Sequence, residues 1–335
     1  MALDTYRDLL IYGRASLSDP NEAPVLLGAA LNISMAAMYA RLDVEPCAAE
    51  VEKYLGMLER RKRYEPIQYI LGSWGFMSLD FYVNRHTMIP RAETEVLVEH
   101  VISEVMRFGN DNPGVVRLGN DNPGAVCFGN DNPDAVCLEK ESPEGVRFGN
   151  GCPDARGIKI LDICTGTGCV AISLAHFLPG AQVTGIDISD GAIETAKRNA
   201  EKNGVGDRAE FVLCDVFCDD SIMRLFDATG AVDIICSNPP YIPSGDIGGL
   251  MPDIRCYEPL AALDGGENGL DFYRRFAQSV FPRFMSKEGF AVIEVGAGQA
   301  DLVGEIMIRK MPECSIYFIK DIHQIDRAVC CKKYF

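Results

Sequence analysis

Apolar residues recur at three- and four-residue spacings from residue 4 to about 63, in segments such as TYRDLLIYG, EAPVLLGAALN and AAEVEKYLGMLERR. That spacing predicts helices with one apolar face. Breaks at Asp19-Pro20-Asn21 and near Glu45-Pro46 divide the region into short helices, so residues 1–72 read as a small all-helical domain. In residues 73–107, Phe76 to Ile89 alternates as a short hairpin would, and Thr94 opens a helix with Glu93 and Glu95 in its first turn. From residue 158 the pattern changes. Ile158 to Asp162, Gln182 to Asp187, Glu210 to Asp215, Val232 to Asn238 and Phe290 to Val295 are short apolar runs that read as strands. Helical patterns lie between them, at 168–177 and at 190–203, the latter ending at Gly204, which suits a left-handed cap. Such alternation predicts a parallel sheet covered on both faces. The last two runs, Ser315 to Lys320 and Ala328 to Tyr334, are only seven residues apart. That gap is too short for a crossover helix, so they should form an antiparallel hairpin at the sheet edge. Residues 158–335 are therefore expected to be one α/β domain with seven strands.

Between the two regular parts, residues 108–157 hold five copies of one ten-residue unit: FGNDNPGVVR, LGNDNPGAVC, FGNDNPDAVC, LEKESPEGVR and FGNGCPDARG. A period of ten is too short for a helical solenoid, and the Asn-Asp-Asn-Pro core favours turns. Few aliphatic residues per unit leave little buried area to offset chain entropy, so a flexible surface insert is the expectation. Calcium ligation is the alternative, and the unit lacks the late Glu such a site uses.

Composition adds limits. A chain of 335 residues with 47% apolar content is long enough for two folded units. No run approaches the roughly 18 to 20 apolar residues of a spanning helix, and MALDTYRDLLIYGR lacks a basic stretch followed by an apolar one, so a soluble cytoplasmic protein without membrane attachment is expected. Thirteen cysteines fall at irregular positions with no C-x-x-C pair, which suits buried thiols in a reducing compartment and no metal. Cys330 and Cys331, adjacent in a strand, face opposite ways and make a poor clamp. The net charge of −16, from 32 Lys and Arg against 48 Asp and Glu, argues against direct DNA binding. The basic run Arg60-Arg61-Lys62-Arg63 reads as the solvated end of a helix.

Candidate chemistry gathers at the strand ends. The first strand feeds Asp162-Ile163-Cys164-Thr165-Gly166-Thr167-Gly168, a D-x-x-x-G-x-G turn opening a helix. Its glycines let a ligand approach the backbone, and its acid suits an ammonium better than a pyrophosphate. Gly166-x-Gly168-x-x-Ala171 also satisfies the dinucleotide fingerprint, so the turn alone leaves both readings open. Asp187 ends the second strand, where a carboxylate can accept both ribose hydroxyl protons. Asp215 ends the third, able to bond an exocyclic adenine amine while Val216 or Phe217 packs on the base. Together the three acids fit adenosine beside a positive charge, as in S-adenosylmethionine. The fourth strand delivers Asn238-Pro239-Pro240-Tyr241. The prolines stiffen this loop and remove donors, leaving the Asn238 side-chain oxygen and the Pro239 carbonyl to hold a planar NH₂ group by its two protons. Tyr241 can stack on that group.

With these residues in place, the chain resembles the release-factor glutamine methyltransferases of the HemK/PrmC family. The (Asn/Asp)-Pro-Pro-(Tyr/Phe/Trp) loop after strand four of a D-x-x-x-G-x-G sheet is the mark of methyltransferases acting on planar amino groups. The likeness extends through Glu65-Pro66-Ile67-Gln68-Tyr69-Ile70-Leu71-Gly72, Ile89-Pro90-Arg91-Ala92-Glu93-Thr94-Glu95, Tyr257-Glu258-Pro259-Leu260-Ala261-Ala262-Leu263-Asp264-Gly265-Gly266, Glu294-Val295-Gly296, Gln299 and Asp326-Arg327. It implies a seven-stranded Rossmann-like class I methyltransferase sheet with a helical substrate-docking domain. It implies transfer of a methyl group from S-adenosylmethionine to the amide of the glutamine in the Gly-Gly-Gln loop of class I peptide chain release factors. A monomer is expected. On the resemblance, the cofactor lies at Asp162 to Gly166, with Gly168, Asp187, Asp215 and Val216, and Asn238 to Tyr241 receive the glutamine. Cys164 stands where Gly is common in the family, Ala92 replaces a Pro, and the decamer insert is foreign to it. The competing readings are an adenine amino-methyltransferase, methylation of a ribosomal protein, a sheet that has lost its chemistry, and a dehydrogenase, for which no hydride site is visible.

Overall fold

The computed structural model describes residues 3–108 and 157–333. Nearly all of the decamer insert, with the reading placed on it, lies outside the described residues.

The N-terminal domain is helical, as its spacing predicts. Helices α1 (Tyr6–Ser16), α2 (Glu22–Leu31), α3 (Met35–Tyr39), α4 (Ala48–Lys62) and α5 (Ile67–Leu71) pack around Leu9, Leu26, Leu27, Met38, Tyr54 and Leu58. Thr5 and Asp8 form a capping box that starts α1, and Asn32, at φ 53°, ends α2. The basic run does close α4, but Arg60 and Arg61 are not free in solvent. Arg61 Nε lies 2.6 Å from Glu22 on α2 with its side chain only 14% exposed, and Arg60 pairs with Glu65 at 2.8 Å. Acids from a neighbouring helix and the following loop turn a supposedly solvated end into a tie between elements.

The hairpin is displaced from its expected place. Strands β1 (Ser73–Phe76) and β2 (Leu79–Tyr82) pair antiparallel, and the segment up to Ile89 is not part of them. Their two-residue turn uses Met77 at φ 49° and Ser78 at φ 60°, so no Gly or Asn marks it in the sequence. The Glu95 carboxylate accepts the Met77 amide at 2.7 Å and holds the turn. Ala92–Thr94 forms a 3-10 turn that opens α6 (Glu95–Phe108).

The larger domain then runs β3 (Lys159–Ile163), α7 (Cys169–Phe177), β4 (Gln182–Asp187), α8 (Asp190–Lys202), β5 (Ala209–Leu213), α9 (Asp219–Thr229) and β6 (Val232–Ser237). Next come α10 (Pro252–Tyr257), α11 (Asp271–Arg275), a π-helical stretch at Phe276–Val280, α12 (Phe281–Phe284), β7 (Met285–Glu294), α13 (Ala300–Lys310), β8 (Cys314–Lys320) and β9 (Asp326–Lys333). The seven strands lie in the order β5-β4-β3-β6-β7-β9-β8. The first five are parallel, and β9 runs antiparallel to both its neighbours, which gives the expected edge hairpin. Apolar layers cover both faces, and Cys330 joins one of them while Cys331 joins the other, as strand alternation requires. Asp215 lies two residues past the end of β5.

Strand order fixes where a ligand can sit. From β3 the chain builds outward to β4 and β5, then crosses to β6 on the other side of β3. The turns after β3 and β6 therefore leave in opposite directions, and a crevice opens between them at the carboxyl edge. Those turns are Cys164–Gly168 and the Asn238–Tyr241 loop.

Candidate active site

The β3 turn is built over a buried acid. Asp162 is 1% exposed, and its Oδ2 accepts the Thr165 hydroxyl at 2.7 Å and the Ala171 amide at 3.2 Å. Burial pushes its carboxyl up to about 7, against the pull of those two donors. Asp162 thus lies beneath the turn and shapes it, with Ile163 buried beside it. Cys164 takes φ 60° and Gly166 φ 55°, so the chain folds back tightly, and a Cβ on Gly166 would meet nothing within 4 Å. Open space therefore lies in front of the turn. Gly168, at φ 80°, has no such room, because its Cβ would come within 2.8 Å of Ile172.

Asp187 joins the turns of β3 and β4. Its Oδ2 accepts the Gly166 amide at 3.0 Å and its Oδ1 the Ser189 amide at 3.0 Å, while burial raises its carboxyl above the usual range. Each oxygen keeps a lone pair for a hydroxyl. Asp215 bends the next loop by accepting the Phe217 amide at 2.8 Å, and Val216 is buried behind it. Ile188 and Phe217, 60% and 53% exposed, stand beside these acids as large apolar groups in water. Ile188 was missed in the sequence, where an isoleucine after a strand looks like ordinary core.

The β6 loop is held from three sides. The Tyr241 carbonyl accepts Gln299 Nε2 at 3.0 Å, and Gln299 Oε1 in turn accepts the Gly296 amide at 2.9 Å. Residues 242–269 return beneath the loop: Ile242 N bonds Leu263 O at 3.0 Å, and Gly265 N bonds Ile242 O at 2.9 Å. Tyr241 is partly buried, and the desolvation pushes its phenol up to about 12. On the third side Asn238 Nδ2 donates to Thr94 Oγ1 at 3.0 Å. Among the described residues, neither Asn238 Oδ1 nor the Pro239 carbonyl has a hydrogen-bond donor. Two acceptors on adjacent residues are thus free of protein donors.

Thr94 and Glu294 are functional candidates that sequence reasoning did not assign a role. Both are buried, at 2% and 4% exposure, and the Thr94 hydroxyl beside the Glu294 carboxylate opposes the rise that burial causes in it. Other motif residues interlock nearby. Arg91 pairs with Glu258, which also accepts the Ile89 amide at 3.3 Å. Tyr257 donates to the Arg63 carbonyl at 2.7 Å, with Arg85 over its ring at 5.2 Å, and Tyr69 donates to the Thr87 carbonyl at 2.5 Å. The helical domain is thereby joined to the segment that carries Thr94.

Sheet order, glycine turn and strand-end acids define an α/β methyltransferase. A family described as "Methyltransferase domain" matches residues 154–248, and one described as "PrmC N-terminal domain" matches residues 10–72. The chain is 34% identical to the release factor glutamine methyltransferase of Geobacter sulfurreducens, over 97% of this chain and 95% of that protein. It is 30% identical to the release factor glutamine methyltransferase of Thermodesulfovibrio yellowstonii, over 93% and 92%. A solved protein-(glutamine-N5) methyltransferase (release factor-specific) from Alicyclobacillus acidocaldarius is similar at 22% identity over 74% of this chain and 95% of that one, with a TM-score of 0.38. The chain belongs to the release factor glutamine methyltransferase family.

Proposed function

We propose that this protein transfers a methyl group from S-adenosylmethionine to the side-chain amide nitrogen of the glutamine in the Gly-Gly-Gln motif of class I peptide chain release factors. The observation that carries the reading is the pair of open acceptors on Asn238 and Pro239, set on a loop facing the β3 turn across the sheet's switch point. Family membership over nearly the whole chain supports the choice of a protein glutamine over a nucleic-acid base.

The residues fit the donor. The open turn at Gly166, shaped by the buried Asp162 beneath it, receives its methionine part, Asp187 takes the ribose hydroxyls, and the adenine lies by Asp215 and Val216, with Ile188 and Phe217 giving their apolar surface to it. When bound, S-adenosylmethionine supplies an electrophilic methyl on a sulfonium. An amide nitrogen is a poor nucleophile because its lone pair is delocalised into the carbonyl. Asn238 Oδ1 and Pro239 O each accept a hydrogen bond from one N–H of the substrate NH₂, which draws the lone pair back onto nitrogen and points it at the methyl. Tyr241 stacks on the amide plane and limits its rotation. Positioning of this kind is worth several kcal/mol of a barrier. The carbon–nitrogen bond forms in line as the methyl–sulfur bond breaks, the neutral thioether leaves, one amide proton is lost to water during or after the transfer, and the helical domain grips the release factor.

Labelled S-adenosylmethionine incubated separately with a release factor, a ribosomal protein fraction and DNA tests the reading. Label in the release factor, lost when its motif glutamine is replaced, is the expected outcome; label only in DNA or in a ribosomal protein would sink it. Asn238→Ala should lower the single-turnover rate on the order of a hundredfold with cofactor affinity nearly unchanged. Loss of cofactor binding with the rate of the bound complex spared would show that the role is misassigned.

A further inference from the structure

An asparagine amide has an oxygen and a nitrogen of nearly the same shape, so a site that needs the oxygen must exclude the flipped form. Something beyond Asn238 itself must choose. Asn238 Nδ2 meets Thr94 Oγ1 at 3.0 Å, and the Thr94 hydroxyl also lies beside the carboxylate of Glu294, which ends β7. Glu294 is 4% exposed, and its Oε2 has no hydrogen-bond partner among the described residues. A half-satisfied buried acid is costly, so this one is not explained by stability.

We propose that Glu294, acting through the Thr94 hydroxyl, is a positioning residue that holds the Asn238 amide with its oxygen toward the substrate. The inference rests on the methyl-transfer reading above. Its logic is proton counting. An ionised carboxylate only accepts, so the single hydroxyl hydrogen of Thr94 goes to Glu294. Thr94 Oγ1 can then only accept from Asn238, which places Nδ2 against it and leaves Oδ1 for the incoming NH₂. The flipped amide would set oxygen against oxygen with no hydrogen between them. A protonated Glu294 reverses this, because it can donate to Thr94 and free the hydroxyl hydrogen for Asn238 Oδ1. The amide then populates both orientations, one of which offers the substrate a donor where it needs an acceptor.

Ionisation of Glu294 therefore gates the rate. Burial lifts its carboxyl to about 7 and Glu93 adds to the rise, while Thr94, Arg327 and Arg91 oppose it. Tyr241, Tyr273 and Cys169 also face the charge, and all three are held protonated by burial, so they add no second titration near neutrality.

The test is the single-turnover rate of the preformed release-factor complex from pH 5.5 to 8.5. Wild type should rise through a midpoint near 7, and Glu294→Gln, which keeps the shape but cannot ionise, should be flat at the low-pH level. Thr94→Ser should stay within about twofold of wild type, and Thr94→Val should lose roughly 10- to 100-fold, with cofactor affinity by calorimetry changed less than about threefold. A limb that persists in Glu294→Gln, a wild-type profile with no limb, or Thr94→Val losing cofactor affinity at an unchanged rate each overturns the proposal. Glu294→Gln and Thr94→Ser are near-isosteric, so circular dichroism and melting separate misfolding in Thr94→Val from the effect sought. If wild type labels no release factor, the methyl-transfer reading fails and this inference falls with it. If wild type labels it and Glu294→Gln keeps the limb, only the positioning role fails.

Discussion

Cys164 holds φ 60° at the point where the β3 turn folds back, a conformation in which an L side chain crowds its own backbone. Family members commonly carry Gly there, and the angle supplies the reason. The rest of the turn was legible in the sequence because D-x-x-x-G-x-G fixes where glycines and acid must lie. What could not be read is that Asp162 faces inward to Thr165 and Ala171, since strand alternation alone does not say which side of a turn covers a carboxylate. Cys164→Gly and Cys164→Ala both remove the thiol, so their difference isolates the backbone. The Gly variant should be more stable than the Ala variant by about 1 kcal/mol, read from urea midpoints at equal slopes. Equal stabilities would mean that the left-handed angle costs nothing here.

Elements place the acceptor loop through contacts distant in sequence. Asn238 and Thr94 are 144 residues apart, and Arg91 and Glu258 167. Neither pairing leaves any period in the chain, so the strands and the Asn-Pro-Pro-Tyr motif were readable while the Thr94 and Glu294 links were not. The hairpin went astray for a local reason, because Met77 and Ser78 adopt left-handed angles that sequence assigns to Gly or Asn. Gly269 shows how closely the loop is backed. At φ 71°, its Cβ would lie 2.2 Å from the Tyr241 carbonyl and 2.7 Å from Gln299 Nε2. Gly269→Ala must therefore push Tyr241 toward the crevice. A stability loss of roughly 1–3 kcal/mol is expected. Because near-attack geometry tolerates little displacement, methyl transfer should fall on the order of a hundredfold. A variant that melts lower but transfers at the wild-type rate would show that the loop position is not set from this side.

Across the whole molecule, the acids that serve the crevice also set how stability varies with pH. Burial lifts Asp162 from an ordinary value of 3.8, and Glu294 from 4.5, to about 7, and it raises Asp187 as well. In the unfolded chain these groups lose their protons first, so between about pH 4 and 7 the folded state binds more protons than the unfolded one. Stability from these acids is therefore full below their ordinary values and falls as pH rises to about 7. Glu65 works the other way. Its hydrogen bond from Arg60 holds the carboxyl below its usual range, and that stabilisation is lost only as pH falls through the lowered value. Asp162→Asn tests the first part directly, because an asparagine oxygen can still accept from Thr165 and Ala171 but cannot ionise. Unfolding free energy without cofactor should fall less steeply from pH 4 to 7 in the variant than in wild type. The slope removed can be at most about 1.4 kcal/mol per pH unit, the limit for one proton. Parallel slopes in the two proteins would place the titration elsewhere, and Glu294→Gln, measured in the same way, would then carry the remaining test.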